Sequence, residues 1–366
     1  MNKAPQGKGT GSQGYSPESW EEARRIASQI GPVPSSFTSC IHFLKKDFEA
    51  TGLMGPRSKF ALNRLLRSDI FRAPMYYGTC TFFHEEMEHY EHVDAPVFAE
   101  LMGLDGVIVA TSLLYLYKRL KRNSDQTEWA HLAKNILLDA ELGGHLGRAI
   151  PAIGFTLGLM VGGIRQVSLG TFLGVDKKNF TAYRRKTKGA FDMTTEVAHW
   201  GCNHAQVGSL LLQAVGMGVS QVDGLITGLD PSITNADSLA PDALKVRLVS
   251  IWIEALRTTG APPDMVHNSK YYPLKKDLDR LLAKVEETRL HGTAFGWLER
   301  GKEDVTPEKT PQLYSAFELK RALADIAQKA DGVATATSNS EEEIPDEVLE
   351  EMTAEEIAKL ESEELT

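Results

Sequence analysis

Apolar residues recur at intervals of three and four along most of this sequence, which is the spacing of one face of an α-helix. The first segment shows this pattern with Trp20, Ala23, Ile26, Ala27 and Ile30. No stretch of the 366 residues alternates apolar and polar side chains between hairpin turns, as paired strands would. We therefore expect an all-α fold.

Start and stop signals give the bounds of these helices. Ser16 is a favoured N-cap residue, Pro17 suits the first helical position, and Gly31 with Pro32 ends the first segment. Further helices are expected over residues 35–50, 57–72, 94–122 (as one or two), 126–147, 149–173 and 193–216. Two strong helical segments follow, SLAPDALKVRLVSIWIEALRTTGAPP and YPLKKDLDRLLAKVEETRLHGTAFGWLER, and a third is expected at 312–330.

The most hydrophobic window, AIPAIGFTLGLMVGGI, covers residues 149–164. This window is short for a membrane span, which needs about 20 residues. Gly154, Gly158 and Gly162 recur at intervals of four, which puts them on one helix face and suits close packing against a neighbour. We therefore expect a buried helix here and no membrane span.

The acidity of the chain is concentrated at its C-terminal end. The net charge is −9 for the whole chain, and residues 341–366 hold twelve acidic residues and one lysine, a net charge of −11. The rest of the chain therefore carries about +2. A dedicated nucleic-acid-binding protein presents a strongly basic face, so this balance argues against nucleic acid as a partner.

The chain has three cysteines, Cys40, Cys80 and Cys202, which are far apart and form no CxxC pair. This spacing predicts neither a disulfide framework nor a thiolate zinc site, and it fits a reducing compartment. The first residues, MNKAPQGKGTGSQG, have no apolar core of the kind found in signal peptides. We expect a cytoplasmic protein.

Composition divides the chain into four parts. We expect a flexible leader over residues 1–16, a helical domain over 17–230, a helical extension over 231–330, and a linker with an acidic tail over 331–366. The apolar edge of the tail consists of Val348, Leu349, Met352, Ile357 and Leu360. Such an edge suits docking into a groove on a partner or onto a basic segment of the same chain. The other interpretation is a solvated, solubilising end.

Residues 84–92, HEEMEHYEH, contain three histidines and four glutamates. In a helix Glu85 and His89 share a face and His92 can join them, so these side chains are candidate ligands of zinc or non-haem iron. A functional metal site also needs supporting residues on a fixed scaffold, and this stretch has little hydrophobic periodicity. We therefore expect a solvated connection here and no bound metal.

The segment 177–188, KKNFTAYRRKTK, is strongly basic and contains no acidic residue. Its candidate anion-binding residues are Lys177, Lys178, Arg184, Arg185 and Lys186, interleaved with Phe180 and Tyr183. Such a segment can bind a phosphate, a nucleotide or the acidic tail. The other interpretation is an exposed basic helix without a specific ligand.

Four stretches within residues 17–230 follow one another in a characteristic order and spacing. They are DAPVFAELMGLDGVIVATSLL, TEWAHLAKNILLDAELG, GFTLGLMVGGI and TEVAHWGCNHAQVGSLLLQAVGMG. Together they resemble the HD-related output domain (HDOD) family, a family of helical domains. The last stretch follows the family pattern best, at Glu196, Gly201, His204, Ala205, Val207, Gly208, Leu210 and Leu211.

The resemblance implies a relation to the HD phosphohydrolases, in which a first His, an adjacent His-Asp pair and a distant Asp hold divalent metal and activate water. In this sequence the first His matches His131, whereas the His-Asp pair falls at Val161 and Gly162, whose side chains cannot bind a metal. The resemblance therefore implies a dismantled metal site. Its remnants would be His131 and His204, in a residual polar pocket; the alternative for His204 is a satisfied core histidine.

These observations lead to a non-catalytic cytoplasmic signalling or regulatory protein, as HDOD members generally are, without a cofactor. It would act as an interaction scaffold through its tail, with signalling proteins as partners, or as the effector of a small signal such as a nucleotide. Two alternatives stay open. One is a divergent metal-dependent phosphohydrolase that recruits His84, Glu85, His89 and His92, and the other is a nucleotide-binding module without turnover.

Overall fold

The structure is a computed structural model that describes residues 15–90, 93–265, 269–293 and 295–301. Within these residues it contains fourteen α-helices, three short 3₁₀ helices and no β-strand. The fold is all-α, as the helical spacing of apolar residues predicted.

The helices are numbered along the chain. In chain order they are α1 (Pro17–Ala27), α2 (Ser35–Ala50), α3 (Pro56–Leu65), α4 (Asp69–Met87), α5 (Ala95–Met102), α6 (Leu104–Asn123), α7 (Gln126–Ala149), α8 (Phe155–Val175), α9 (Lys177–Thr187), α10 (Met193–Trp200), α11 (His204–Ala214), α12 (Val219–Leu229), α13 (Pro241–Thr258) and α14 (Lys275–His291). The 3₁₀ helices are Ser28–Ile30, Ala236–Ser238 and Trp297–Glu299.

The bounds of α1 and α2 agree with the predicted ones. The Ser16 side chain accepts a hydrogen bond from the Ser19 N–H at 3.2 Å, and Pro17 occupies the first turn. Gly31 ends the segment with a φ of 69°, a conformation that favours glycine. Local signals suffice here because a cap, a proline and a glycine each act within one turn.

Three predicted segments each contain parts of two helices. Residues 57–72 include the junction of α3 and α4, and 193–216 include that of α10 and α11. Residues 94–122 form α5 and α6, which meet at an angle of 108°. Gly103 and Gly201 have positive φ and end α5 and α10, so a single glycine redirects the chain at both places.

Helix α4 was not expected beyond residue 72. It continues through Pro74 to Met87, with a kink at Phe83, where φ is −132° and ψ is 36°. Most of its residues are buried, because other helices contact it on several sides. A helix that is buried all around has no polar stripe, so the periodicity of its apolar residues is weak.

Helices α7 and α8 form an antiparallel pair at the centre of the fold. A Cβ atom on Gly158 would lie less than 3.0 Å from the carbonyl oxygen of Gly143, and one on Gly162 would lie as close to that of Asp139. Only glycine permits this approach of two backbones, so the predicted close packing through the glycines of α8 is confirmed. The facing positions are Gly147 and Gly154, Gly143 and Gly158, and Asp139 and Gly162.

The other helices pack around this pair. Helices α6, α11 and α13 contact α8, and α4, α13 and α14 contact α7. Trp252 of α13 is fully buried in the same core as both central helices, and Trp297 of the last 3₁₀ helix packs against Gly78 of α4. The described part of the 231–330 extension therefore shares one hydrophobic core with residues 17–230.

By length and composition, α8 meets the criteria of a membrane span among the described residues, and the bent pair of α5 and α6 meets them as one broken span. Inside the fold, however, 89% of the apolar window of α8 is buried. A central core helix has the same composition, because protein rather than lipid surrounds it. The expected buried helix over 149–173 is thus present, although it begins at Phe155.

We expect Gly158→Ala to destabilise the protein by about 3 kcal/mol or more, since the new methyl group meets a backbone carbonyl that no rotamer change can move away. Chemical denaturation measures this loss. The matched control is Gly174→Ala on the same helix, where a Cβ atom would have only the Asn123 carbonyl oxygen at 4.0 Å.

The control variant should be neutral or more stable by up to about 1 kcal/mol, because alanine favours helix over glycine. Equal effects of the two substitutions would contradict the close contact between α7 and α8.

Candidate functional site

At the start of α11, the His204 side chain is buried against Glu196 of α10. Nδ1 of His204 lies 2.8 Å from Oε2 of Glu196, and the backbone N–H of His204 donates to the same oxygen at 2.8 Å. The hydroxyl of Tyr183 on α9 donates to Oε1 of Glu196 at 2.7 Å. One carboxylate therefore joins α9, α10 and α11.

A capping box holds His204 at the first turn of α11. The Asn203 side chain accepts hydrogen bonds from the N–H groups of Ala205 and Gln206, and Gln206 accepts one from the Asn203 N–H at 3.2 Å. Gln206 also accepts a hydrogen bond from Ser19 of α1 at 3.0 Å. The position of His204 is thus set by a local motif that is tied to the first helix.

Phe191, in the loop between α9 and α10, connects His204 to further charged side chains. The ring centroids of Phe191 and His204 lie 4.5 Å apart, and the guanidinium of Arg165 on α8 lies 3.9 Å from the Phe191 centroid. Arg257 of α13 holds the loop, since its Nη1 donates to the Gly189 carbonyl at 2.7 Å. The loop therefore lies between two cationic side chains and the histidine.

Asp139 of α7 completes this arrangement. Its Oδ2 accepts a hydrogen bond from Gln166 at 2.6 Å and lies 3.8 Å from Nη1 of Arg257. Nη2 of Arg257 pairs with Glu254 at 2.7 Å. Together with Glu196, His204 and their neighbours, these side chains lie on six helices and one loop. We define the polar cluster as Asp139, Arg165, Gln166, Tyr183, Phe191, Glu196, His204, Glu254 and Arg257.

Burial and pairing set the protonation of the cluster. Burial raises the pKa of Asp139 to about 6, although the charges of Arg257 and Arg165 act in the opposite direction. Burial lowers the pKa of Arg165 to about 10, because it disfavours the charged form of this side chain as well. Burial also acts to raise the pKa of Glu196, but the charge and hydrogen bonds of His204 outweigh it, so that pKa lies below its usual value. The protein thus keeps Glu196 ionised beside His204.

The cluster retains unused hydrogen-bonding capacity. Nε2 of His204, Nε of Arg165 and Oδ1 of Asp139 are buried and have no hydrogen-bond partner among the described residues. Within the part of the chain that the structure describes, no three His, Cys, Asp or Glu side chains are arranged to hold a metal ion. The arrangement fastens the α9–α10 loop and joins it to α10 and α11.

A separate cavity of about 520 Å³ lies between α2, α6, α8, α12 and α13. Its lining combines apolar residues such as Ile108, Val109 and Leu157 with Lys45 and Lys245. This volume is in the range of small-ligand pockets, which often lie between the helices of a bundle. The sequence did not indicate this cavity, because five helices contribute to its lining.

The chain matches no protein-family model, no curated protein and no solved structure. The resemblance to the HDOD family therefore rests on the residues quoted above.

The two predicted remnants of an HD-like pocket do not meet. His131 is exposed on the surface of α7, whereas His204 is 1% exposed inside the polar cluster. Asp139 lies about two helical turns after His131 on α7, and its side chain is buried in the polar cluster. His131 therefore lies outside the polar cluster that contains His204, because its side chain is exposed on α7.

The histidine-rich stretch 84–92 spans the end of a helix. Glu85 lies in the last turn of α4 and His89 in the turn that follows, and both are exposed. His84 lies 3.9 Å from Glu88 in an exposed pair. His92 lies outside the described residues, so the proposed triad with His92 stays a prediction.

The basic segment 177–188 forms α9. Phe180 and Tyr183 face the core, so the interleaved aromatic residues are the buried side of this helix. Three candidate anion-binding cations already have partners: Lys177 with Asp125 at 2.6 Å, Arg184 with Glu128 at 3.0 Å, and Lys186 with Thr195 at 2.7 Å. The remaining two, Lys178 and Arg185, are exposed. The helix therefore has a basic outer face.

The tail residues Val348, Leu349, Met352, Ile357 and Leu360 lie outside the described residues, as do the predicted helix at 312–330 and residues 1–14.

Sequence reasoning missed most of the polar cluster. One signal was available: Arg165 and Gln166 stand inside the most apolar helix of the chain, between glycines and aliphatic residues. Charged residues are seldom buried without a partner, so a charge at such a position indicates a buried polar contact. The partners Asp139, Arg257 and Phe191 had no comparable signal, because they come from distant segments.

We expect Glu196→Gln to lower the free energy of unfolding by about 3 kcal/mol. The amide NH₂ would face a donor, either the Tyr183 hydroxyl or the His204 N–H groups, and leave it unsatisfied inside the protein. Tyr183→Phe removes only the hydroxyl and should cost less, about 1–2 kcal/mol. The surface control Glu22→Gln, in an exposed pair with Arg25, should change stability by less than about 0.5 kcal/mol.

Urea denaturation ranks the three variants. A Glu196→Gln variant as stable as the surface control would contradict the role of this carboxylate in joining the three helices.

A second buried carboxyl, Glu141 of α7, gives a pH-dependent prediction. Glu141 is 2% exposed, and its Oε1 has no hydrogen-bond partner within the part of the chain that the structure describes. Burial raises its pKa to about 8 from the usual 4.5. Between these two values the native state keeps a proton that the unfolded chain has released. The free energy of unfolding should therefore fall as the pH rises through this window.

Glu141→Gln removes this titration. We expect the difference in stability between pH 5 and pH 9 to shrink by about 3 kcal/mol in the variant. Denaturation at both pH values measures it, and an unchanged pH dependence would contradict the raised pKa.

Proposed function

We propose that this protein is a non-catalytic cytoplasmic regulatory protein with an HDOD-like helical core. The observation that carries the proposal is the contact between α7 and α8 at Gly162, where the resemblance puts a metal-binding Asp. A Cβ atom on Gly162 would lie less than 3.0 Å from the Asp139 carbonyl oxygen, so an aspartate has no room there. The neighbouring Val161 is fully buried and apolar. Both facts support a helical core without a hydrolytic metal site.

The surroundings of His204 support the same conclusion. Its Nδ1 is committed to Glu196, and the Phe191 ring covers it. A residue that activates water must be reachable by water and substrate, and His204 is 1% exposed. We therefore assign His204 a structural role: it fastens the amino end of α11 to α10.

A scaffold needs an element that binds its partner. The acidic tail, residues 341–366, is our candidate, because it combines high charge with apolar residues at near-helical spacing. A small signal would instead bind in the cavity of about 520 Å³ between α2, α6, α8, α12 and α13.

A metal assay separates this function from a phosphohydrolase that recruits His84, Glu85, His89 and His92. We expect protein purified without a histidine tag to contain less than about 0.1 equivalents of transition metal, and its thermal midpoint to be unchanged by a chelator. Stoichiometric metal that is lost in His89→Ala, together with hydrolysis of phosphate esters by the wild type, would contradict a non-catalytic function.

A pull-down from the native lysate tests the scaffold itself. The baits are the full-length protein, a truncation that ends at Asn339, and full-length Leu349→Ser/Met352→Ser, which keeps the charge of the tail but not its apolar edge. We expect a partner captured by the full-length protein and lost with both variants. Equal capture by all three baits would move the interface to the helical body. No reproducible partner would contradict the scaffold.

A further inference from the structure

The outer face of α9 carries positive charge that the described residues do not neutralise. Lys178, Arg185 and Lys188 are exposed, and none of them has an acidic partner in the part of the chain that the structure describes. Lys178 and Arg185 are two turns apart and share one side of the helix, about 10 Å from each other. Lys188 follows directly at the carboxyl end of the helix, and we call these three exposed cations the α9 basic face.

Acidic side chains near α9 are already engaged. Asp125 binds Lys177 at 2.6 Å, and Glu128 binds Arg184 at 3.0 Å. Asp192 caps α10 and accepts hydrogen bonds from the backbone and side chain of Thr195. Asp176 caps α9 itself, since its carboxylate accepts a hydrogen bond from the Asn179 N–H at 3.0 Å. Because segment 177–188 contains no Asp or Glu, the charge of the α9 basic face is available to an acidic segment from elsewhere.

The end of the described chain lies near α9. Lys118 of α6 donates a hydrogen bond to the carbonyl of Arg300 at 2.8 Å, which fixes the chain beside the last two turns of α6. At the end of α6, the Asn123 carbonyl oxygen lies 4.0 Å from the Cβ position of Gly174 in the last turn of α8. Only Asp176 separates the end of α8 from the start of α9. The chain beyond Gly301 therefore starts close to the amino end of α9.

The acidic tail begins 39 residues after this point, counted over 302–340. Fully extended, 39 residues span up to about 130 Å, and about 95 Å if the expected helix at 312–330 forms, so the segment is long enough to reach any part of a domain of this size. A tethered segment of this length has an effective local concentration on the order of 1 mM, so even a weak attraction keeps it bound. With twelve acidic residues in 341–366, several carboxylates can meet the α9 basic face at once.

We propose that residues 341–366 dock on the α9 basic face of the same chain, in an autoinhibitory contact that a partner must displace. The contact itself is independent of the proposed function, because it requires only the tail and α9. Its regulatory meaning rests on the tail being the partner-binding element. The contact is electrostatic, so it weakens as salt screens the charges.

Zero-length carbodiimide cross-linking of the full-length protein, followed by peptide mass spectrometry, tests this contact. The reagent joins a lysine amine to a carboxylate only when the two form an ion pair. Lys177 and Asp125 provide an internal positive control, since they lie 2.6 Å apart. We expect cross-links from Lys178 or Lys188 to carboxylates within 341–364, with a yield that falls at least fivefold in 0.5 M salt.

Matched charge reversals define the site. Lys178→Glu/Arg185→Glu/Lys188→Glu should also abolish any cross-links between the tail and the two lysines that remain on α9, Lys177 and Lys186. The control Lys275→Glu/Lys276→Glu/Arg280→Glu reverses three exposed cations on α14 and should leave them unchanged. Circular dichroism establishes that both variants are folded.

Mixing ¹⁴N- and ¹⁵N-labelled chains identifies the occupant. Cross-links only within chains of one label support docking in the same chain, whereas links between labels would overturn it in favour of a second copy. Tail cross-links to α14 rather than α9, or none while Lys177–Asp125 forms, would overturn the proposal as well. These outcomes are separate from the pull-down, which can fail for lack of a partner although the tail is docked.

Discussion

The contact between the backbones of α7 and α8 determines how the remaining helices pack. Glycines on both helices remove the side chains that normally hold two helices 8–10 Å apart, so carbonyl oxygens of α7 lie directly against α8. A close antiparallel pair of this kind forms a narrow, rigid centre, and α4, α6, α11, α13 and α14 pack around it. One added methyl group would separate the pair and displace the helices that rest on it.

The polar cluster follows from the same geometry. Asp139 lies at the end of the glycine contact on α7, and Arg165 and Gln166 lie just beyond Gly162 on α8, so the close approach of the helices buries all three. Buried charges are costly unless they are paired. Their partners come from α13 and from the α9–α10 loop, so the cluster specifies which distant segments must meet at the centre. At Gly162 the backbone of α7 leaves no room for any side chain.

The sequence predicted the fold where the signal is local. The bounds of α1 and α2 followed from Ser16, Pro17 and Gly31, and the closeness of α8 to its neighbour followed from the spacing of its glycines. It failed for α4, whose buried surface has no polar stripe, and for the junction of α10 and α11, where Gly201 turns the chain within an apparently continuous apolar pattern. The period of apolar residues reveals a helix only when one of its faces is polar and exposed, and it does not show where a glycine ends one helix and another begins.

For the site, the sequence by itself determined that the chain is all-α, that no side chain at Val161 or Gly162 can bind a metal, and that segment 177–188 is basic. Only the tertiary structure decided that His204 pairs with Glu196 rather than with His131, and that Arg257 reaches the Gly189 carbonyl, 68 residues away along the chain. The reason is physical. Composition and spacing specify what each side chain can do, whereas partners that are distant in the chain are selected by the packing of whole helices, which no local pattern encodes.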